Sequence, residues 1–474
     1  MNSFYSRSRR DLLKQFGCGF GYLAFAGLSG LEALSAKSSV SPGLLEPKLP
    51  HFNPRAKRVI FLFLHGGVSH IDSFDPKPKL TEMNGQPLPF AKPKFTFAET
   101  GNLLKSPWEF KQYGECGQPV SELFPNIATC VDDICMIHSM VSDFVSHGGA
   151  ALQLHTGDGI LIRPSMGSWL LYGLGTENEN LPGFINISPP FVHGGGQNYG
   201  SAFLPAVYQG TSIGDGGTQF VQGEIPNLTA SEKDIVQQRQ QLNLMKKWNK
   251  DHLQTRTYDA RLEARIEAFE LAFRMQQHAP EALDFSKESK SVLDLYGIGV
   301  EPTDEYGRQC LLARRLAQRG VRFIQVSHSY PRNYWDQHSK LREGHEKNSK
   351  KVDKPIAGLL KDLKNLGMLE DTLLVFGTEF GRSPAVQGKD GRDHNPTGFT
   401  IWMAGGGIKP GIRYGATDEF GWYAVENKMT LNDFHATVLH LMGLDHTKLT
   451  YRHAGRDFRL TDVAGRVPQE ILIQ

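Results

Sequence analysis

The apolar positions of this chain fall into two kinds of pattern. Val59-Ile60-Phe61-Leu62-Phe63-Leu64, entered at Arg58, is apolar throughout and stops at His65-Gly66-Gly67. A short, continuous apolar run that ends at glycines predicts a central parallel strand buried on both faces. Similar runs lie at Ile134–Ile137, Val321–Val326, Thr372–Phe376 and Phe399–Met403. Between them, helical spacing predicts helices over about 120–130, 148–155, 165–173, 305–319, 349–367 and 432–442. This alternation predicts an α/β fold: a doubly wound, mainly parallel sheet with helices on both faces.

Two stretches break the alternation. Residues from about 229 to 280 are rich in Gln, Lys, Arg and Glu, with apolar residues at helical spacing from Ile235 to Phe273, and predict a helical insertion. Residues from about 186 to 228 are rich in Gly and Pro and read as loop. The expected organisation is a single domain over 58–474, preceded by a Ser-, Pro- and Lys-rich linker over 37–57.

The N-terminus adds a different signal. Arg9-Arg10-Asp11-Leu12-Leu13-Lys14 precedes a Gly-rich apolar run from Phe16 to Leu31 and small residues at Ala33-Leu34-Ser35-Ala36. That layout predicts a twin-arginine signal peptide over 1–36, and hence the twin-arginine export machinery as a partner and a periplasmic or extracellular protein. No later run approaches the roughly 20 apolar residues of a membrane span, so an integral membrane protein is not expected.

Charge narrows the partners. Lys and Arg number 52 against 50 Asp and Glu. Residues 1–36 remove Arg7, Arg9, Arg10 and Lys14 against Asp11 and Glu32, which leaves the remainder formally neutral. Nucleic acid is therefore not the expected partner, because phosphate binding needs a concentrated basic excess. Beyond residue 36 stand Cys116, Cys130, Cys135 and Cys310, compatible with disulfides or with free thiols.

Histidines gather where the predicted strands end. His65 and His70 follow the first strand with Asp72, and His147 lies beyond the second with Ser146. Asp336, His338 and His345 follow the strand at 321–326, Glu379 and Arg382 follow 372–376, and Asp393-His394 precede 399–403. One sheet edge would gather them all. Mixed imidazole and carboxylate groups suit zinc, manganese or iron. Taken singly, each has a structural reading, as a turn residue or a partner in an ion pair.

Several motifs occur together in one order: Gly66-Gly67-Val68-Ser69-His70-Ile71-Asp72-Ser73-Phe74-Asp75-Pro76, Trp335-Asp336-Gln337-His338, Gly377-Thr378-Glu379-Phe380-Gly381-Arg382 and Gly391-Arg392-Asp393-His394-Asn395. With the twin-arginine start, they closely resemble the bacterial family known as domain of unknown function 1501. That family looks like a remote branch of the alkaline phosphatase and sulfatase superfamily, which implies a large doubly wound α/β sandwich. By this resemblance Asp336, His338 and His394 would bind one metal, and Glu379 would hold a metal-binding Asp position. Asp72, His70 and His65 would complete a second centre. Ser146-His147-Gly148-Gly149 resembles the start of the nucleophile helix, with Ser146 as nucleophile and His147 as general acid or base. Arg382 has two readings from its chemistry: a bidentate contact to the anionic group, or a pair with a carboxylate.

The chain also departs from the superfamily pattern. His65 stands where an Asp is usual, Phe380 where a ligand is usual, and no Cys-x-Pro-x-Arg sequence marks a formylglycine nucleophile. The expectation is a hydrolase of phosphate or sulfate esters using one or two divalent ions (zinc, manganese, calcium or magnesium). Its substrate would be a small anionic ester or a sulfated or phosphorylated glycan. Two other readings stand beside it: a non-catalytic protein that binds a glycan or partner in the same cleft, and a metal-dependent mutase.

Overall fold

The computed structural model describes residues 43–91, 99–220, 232–254, 260–329 and 334–473. The arginine pair, the rest of segment 1–36 and the start of the 37–57 linker lie outside them. From Leu44 onward the chain forms one compact unit.

Nine strands build the central sheet: β1 (Arg58–Leu64), β2 (Ile134–Val141), β3 (Phe184–Ile187), β4 (Thr211–Ile213), β5 (Phe323–His328), β6 (Thr372–Gly377), β7 (Phe399–Ala404), β8 (Arg413–Tyr414) and β9 (Met429–Thr430). Their order is β8-β2-β7-β6-β1-β5-β3-β4, with β9 also on β2. All pairings are parallel except those of β7, which runs antiparallel to both β2 and β6. The expected α/β, mainly parallel architecture is what the chain adopts.

β1 shows why its sequence is apolar at every position. Ile60, Leu62 and Leu64 enter the core on one face, and Val59, Phe61 and Phe63 enter the core on the other. A two-period strand with both faces covered favours apolar residues at every position. Helices Asp304–Gln318 and Leu341–Asn365 cover the first face; Met166–Leu174 and Leu431–Leu441 cover the second.

The structure differs from the sequence reading in four places. The helix expected over about 120–130 is a strand, Gln118–Ser121, followed by a 3₁₀ helix, Ile127–Asp133. Pro125, in the middle of that stretch, denies a helix a backbone donor. β3, which runs into the 186–228 stretch read as loop, and β4 within it extend the sheet edge, too short to show a period. The segment read as a linker is strapped down from Leu44 on: Lys48 donates to Leu174 O at 2.9 Å, and Arg55 and Ala56 donate to Leu441 O. Finally, an antiparallel hairpin, Gly381–Gln387 with Gly391–Asn395, stands where only isolated site residues were expected.

The expected insertion forms two long helices, Glu232–Gln254 and Ala260–Leu283. Cys116, Cys130, Cys135 and Cys310 are free thiols. Among the described residues, no helix is long and apolar enough to cross a membrane.

Candidate metal centre

The sheet edge where the parallel strands end collects the polar groups. His65 follows β1, His147 opens the helix His147–Thr156 beyond β2, and Thr378-Glu379 follow β6. Because β7 is antiparallel, its start lies at that same edge. His394, which precedes β7, is thereby delivered from the hairpin.

The loop carrying Asp336 and His338 is held between two glycines. A Cβ on Gly66, whose φ is +121°, would stand 2.7 Å from Trp335 N and 2.8 Å from Asp336 N. A Cβ on Gly391 would collide with His338 O. The glycine of His65-Gly66-Gly67 therefore permits a close backbone approach that sets the depth of Asp336. Trp335 completes the anchorage, donating from N to His65 O at 3.2 Å and from Nε1 to His328 Nδ1 at 3.1 Å.

Three imidazoles converge on one carboxylate oxygen. His338 Nε2 lies 2.8 Å from Asp336 Oδ1, and His147 Nε2 and His394 Nε2 each lie 3.2 Å from it. One potential ligand atom from each of the four residues falls within 4.8 Å of all the others. The opposite ring nitrogens are held as donors. His394 Nδ1 donates to Val145 O at 2.6 Å, His147 Nδ1 to Glu379 Oε1 at 2.6 Å, and His338 Nδ1 to Gln387 Oε1. With Nδ1 fixed as a donor in each ring, Nε2 is the atom that shares a proton with Asp336 or binds an ion.

The charges respond to this crowding. Burial opposes ionisation of Asp336, yet hydrogen bonds from His147, His338 and His394 and the charge of Arg382 hold its carboxyl far below the usual range. The same bond to Asp336 raises His338. Burial works against His147, but Asp336 and Glu379 raise it. Burial dominates at His394 and lowers it to about 4.

A second group adjoins the first through His147. His65, His147 and His193 offer ring nitrogens within 4.8 Å of one another, with His65 Nε2 3.0 Å from His193 Nδ1. Glu379 Oε1 lies 4.0 Å from His65 Nε2. Glu379 is fully buried and also accepts from Gly66 N at 2.9 Å; the bond from His147 helps lower it to about 2, against the cost of burial. Phe380, standing where the resemblance puts a ligand, packs its ring 4.8 Å from His147 and 4.4 Å from His394. It is an apolar wall that holds two imidazoles in place.

The remaining expected residues separate. Asp72 and His70 do not join His65. Both oxygens of Asp72 receive Arg392, at 2.7 and 3.1 Å, and Ser69 Oγ donates to it at 2.5 Å. His70 Nε2 meets Gly421 O at 2.8 Å. The second centre as drawn from the resemblance is therefore not assembled, because an arginine from the hairpin occupies the carboxylate first. Arg382 is fully buried and directs its guanidinium to Gly66 O, Gly67 O, Trp335 O, Arg392 O and Asp336, an internal brace rather than an anion clamp. Ser146 caps the helix without a side-chain capping bond and is exposed. His147 belongs with the ligand set, since both its nitrogens face carboxylates.

His193 and Gln387 escaped the sequence reading. His193 sits in the Gly/Pro-rich stretch, at φ +51°, a left-handed conformation unusual outside glycine. The one available signal was the run His193-Gly194-Gly195-Gly196, which echoes His65-Gly66-Gly67.

Solved structures with similar overall topology have low identity. The PsFucS1 sulfatase from Pseudoalteromonas sp. is 15% identical, with 89% of this chain and 71% of that one covered, at a TM-score of 0.36. The lipoteichoic acid synthase LtaP from Listeria monocytogenes is 9% identical, covering 88% and 78%, at 0.39. The alkaline phosphatase from the Antarctic bacterium TAB5 is 12% identical, covering 83% and 99%, at 0.31. No curated protein matches the sequence. The profile of the family described as "Protein of unknown function (DUF1501)" matches residues 56–472, nearly the whole described chain and every motif at the sheet edge, and the chain belongs to that family.

Proposed function

We propose that this protein is a metal-dependent hydrolase of phosphate or sulfate esters, a remote relative of the alkaline phosphatases and sulfatases. The observation that carries the metal is the convergence of His147, His338 and His394 Nε2 on Asp336 Oδ1, with every Nδ1 held from behind. A nitrogen-rich set with one carboxylate fits zinc or manganese better than calcium or magnesium, which prefer oxygen. His65 and His193, with Glu379 beside them, form the place for a second ion.

A bound divalent ion would supply Lewis acidity to the ester oxygen. The chain's own residues do the rest. Glu379 and Gln387 orient His147 and His338, Phe380 keeps water from the back of two rings, and Arg382 holds Asp336 at depth. Ser146, exposed at the helix start beside His147, is the proposed nucleophile, where the helix N-terminus favours developing negative charge. The ester is a small anionic compound or part of a sulfated or phosphorylated glycan. Arg9-Arg10 and the apolar run after them support export by the twin-arginine route to the periplasm or beyond.

Metal analysis of protein purified without chelator tests the first step, and a panel of phosphate and sulfate esters with Ser146→Ala as control tests the second. Stoichiometric metal with turnover that Ser146→Ala abolishes is the expected result. Failure to bind zinc or manganese under any loading condition defeats the reading. Metal without turnover of any ester favours the non-catalytic binding protein.

A further inference from the structure

Two polar side chains sit in the buried face of the helix Asp304–Gln318. Tyr306 and Gln309 stand one turn apart, 2% and 4% exposed. Tyr306 meets the ring of His328, itself 6% exposed at the end of β5, edge-on at 5.3 Å, and Gln309 lines the same small cavity. Tyr306 OH, Gln309 Oε1 and His328 Nε2 are all buried and have no hydrogen-bond partner among the described residues. Folded chains rarely leave one such atom unsatisfied, and three around one cavity point to a bound molecule.

The cavity limits what that molecule is. Its free space is about 10 Å³, room for the centre of a single water and too little for a larger solute. The polar groups agree. His328 Nδ1 accepts from Trp335 Nε1 at 3.1 Å, and burial holds the ring well below the usual imidazole range. The ring is therefore neutral, with its one proton on Nε2. Gln309 Nε2 donates to Ser188 Oγ at 3.3 Å, which leaves Oε1 as an acceptor. Tyr306 OH serves as donor or acceptor. A water would accept from His328, donate to Gln309 and share a bond with Tyr306, the three contacts usual for an internal water. A bare cation would meet the His328 N–H, and an anion the Gln309 oxygen.

We propose that one internal water, held by His328, Tyr306 and Gln309, fixes the His328 tautomer and makes His328 a positioning residue for Asp336. The opposite tautomer would set Nδ1–H against Trp335 Nε1–H, two donors face to face. A proton kept on Nε2 leaves Nδ1 as the acceptor for the Trp335 indole, while His65 O accepts from the Trp335 backbone at 3.2 Å. Asp336 is the next residue along, so both bonds bear on its placement. The water site stands without any metal; its consequence for metal affinity rests on the proposed metal centre.

A crystal structure of the full chain tests the water. One ordered peak within about 2.7–3.2 Å of all three atoms is expected. No peak, or side chains that turn to pair with one another, overturns it. Zinc titration tests the positioning role, on variants whose urea midpoints show them to be folded. His328→Leu removes the acceptor for Trp335 and should lower zinc affinity about tenfold. His328→Asn returns an amide oxygen near the place of Nδ1 and should restore most of that loss. Unchanged affinity in His328→Leu, or an equal loss in His328→Asn, overturns the role. Tyr306→Phe keeps His328 but removes a partner of the water, and should show a smaller loss; unchanged affinity there overturns the part played by the water. If the parent chain binds neither zinc nor manganese, the metal reading fails instead, and crystal structures decide the positioning role. His328→Leu should then displace the loop Trp335–His338, and an unmoved loop overturns the role.

Discussion

Asp72 and Asp336 are two carboxylates from the same motif set, each touching an arginine of the same hairpin, and they have opposite fates. Asp72 is fully buried, and its two oxygens are satisfied by Arg392 and Ser69. Asp336 keeps a side chain 19% exposed, and one of its oxygens receives Arg382 and three imidazoles. An arginine beside a carboxylate therefore does not mark a site. What does is the excess of convergent nitrogen over what one carboxylate oxygen can satisfy, together with a path to solvent. Asp72 contributes to the centre at one remove: its partner Arg392 lies two residues before His394 in one strand, so the ion pair seats the hairpin that delivers a ligand.

This contrast is open to direct attack. The largest effect should come from Asp336→Ala or His394→Ala, each expected to abolish stoichiometric metal while leaving the far-ultraviolet circular dichroism unchanged; elemental analysis reads it. Retention of full metal in both would erase the distinction drawn here. Asp72→Ala should instead destabilise the fold by about 3–5 kcal/mol, because it strands the buried Arg392 charge. Urea unfolding measures that loss, and the double variant Asp72→Leu with Arg392→Met should recover much of it.

The same pair sets an acid limit. Burial opposes ionisation of Asp72, but Arg392 prevails and lowers its carboxyl below the ordinary value. A depressed folded-state pKa means that the stabilisation is complete above the unfolded value of about 3.9 and is lost as pH falls towards the folded value. Asp72→Asn should flatten the dependence of the urea midpoint on pH in that acid range. The smallest effect belongs to Gln387→Ala, which frees the His338 ring and should lower metal affinity about 10–100-fold with little change in stability. Isothermal titration with zinc would resolve it.

Much of this was legible along the chain. Strands buried on both faces are mainly apolar, so β1, β6 and β7 declared themselves, as did β5 despite Gln325 and Ser327, and most of the helices between them followed from their 3.6-residue period. Asp336, His338 and His394 were legible because histidine and aspartate clustered beside those strands. His193 was not, since it lies in an irregular stretch whose only cue is a glycine run. Nor was Gln387, a neutral amide that looks like any other surface residue until His338 is seen against it. β3 and β4 are too short to carry a period; β3 adds in parallel to the edge that β5 offers, and β4 in turn to β3.

Local patterning thus sufficed for the sheet's central strands, most of the covering helices and the edge at which polar groups meet, because burial imposes a periodicity that each segment carries within itself. Family membership could also be read from motif order. The partition of the polar groups needed the folded chain. Asp72 went to Arg392, Arg382 to a bundle of carbonyls, His147 to the ligand set and Phe380 to the wall behind it, and each assignment joins residues from distant segments. Which nitrogen meets which oxygen depends on approaches of about 3 Å set by Gly66 and Gly391. No spacing along a single strand or helix encodes such distances.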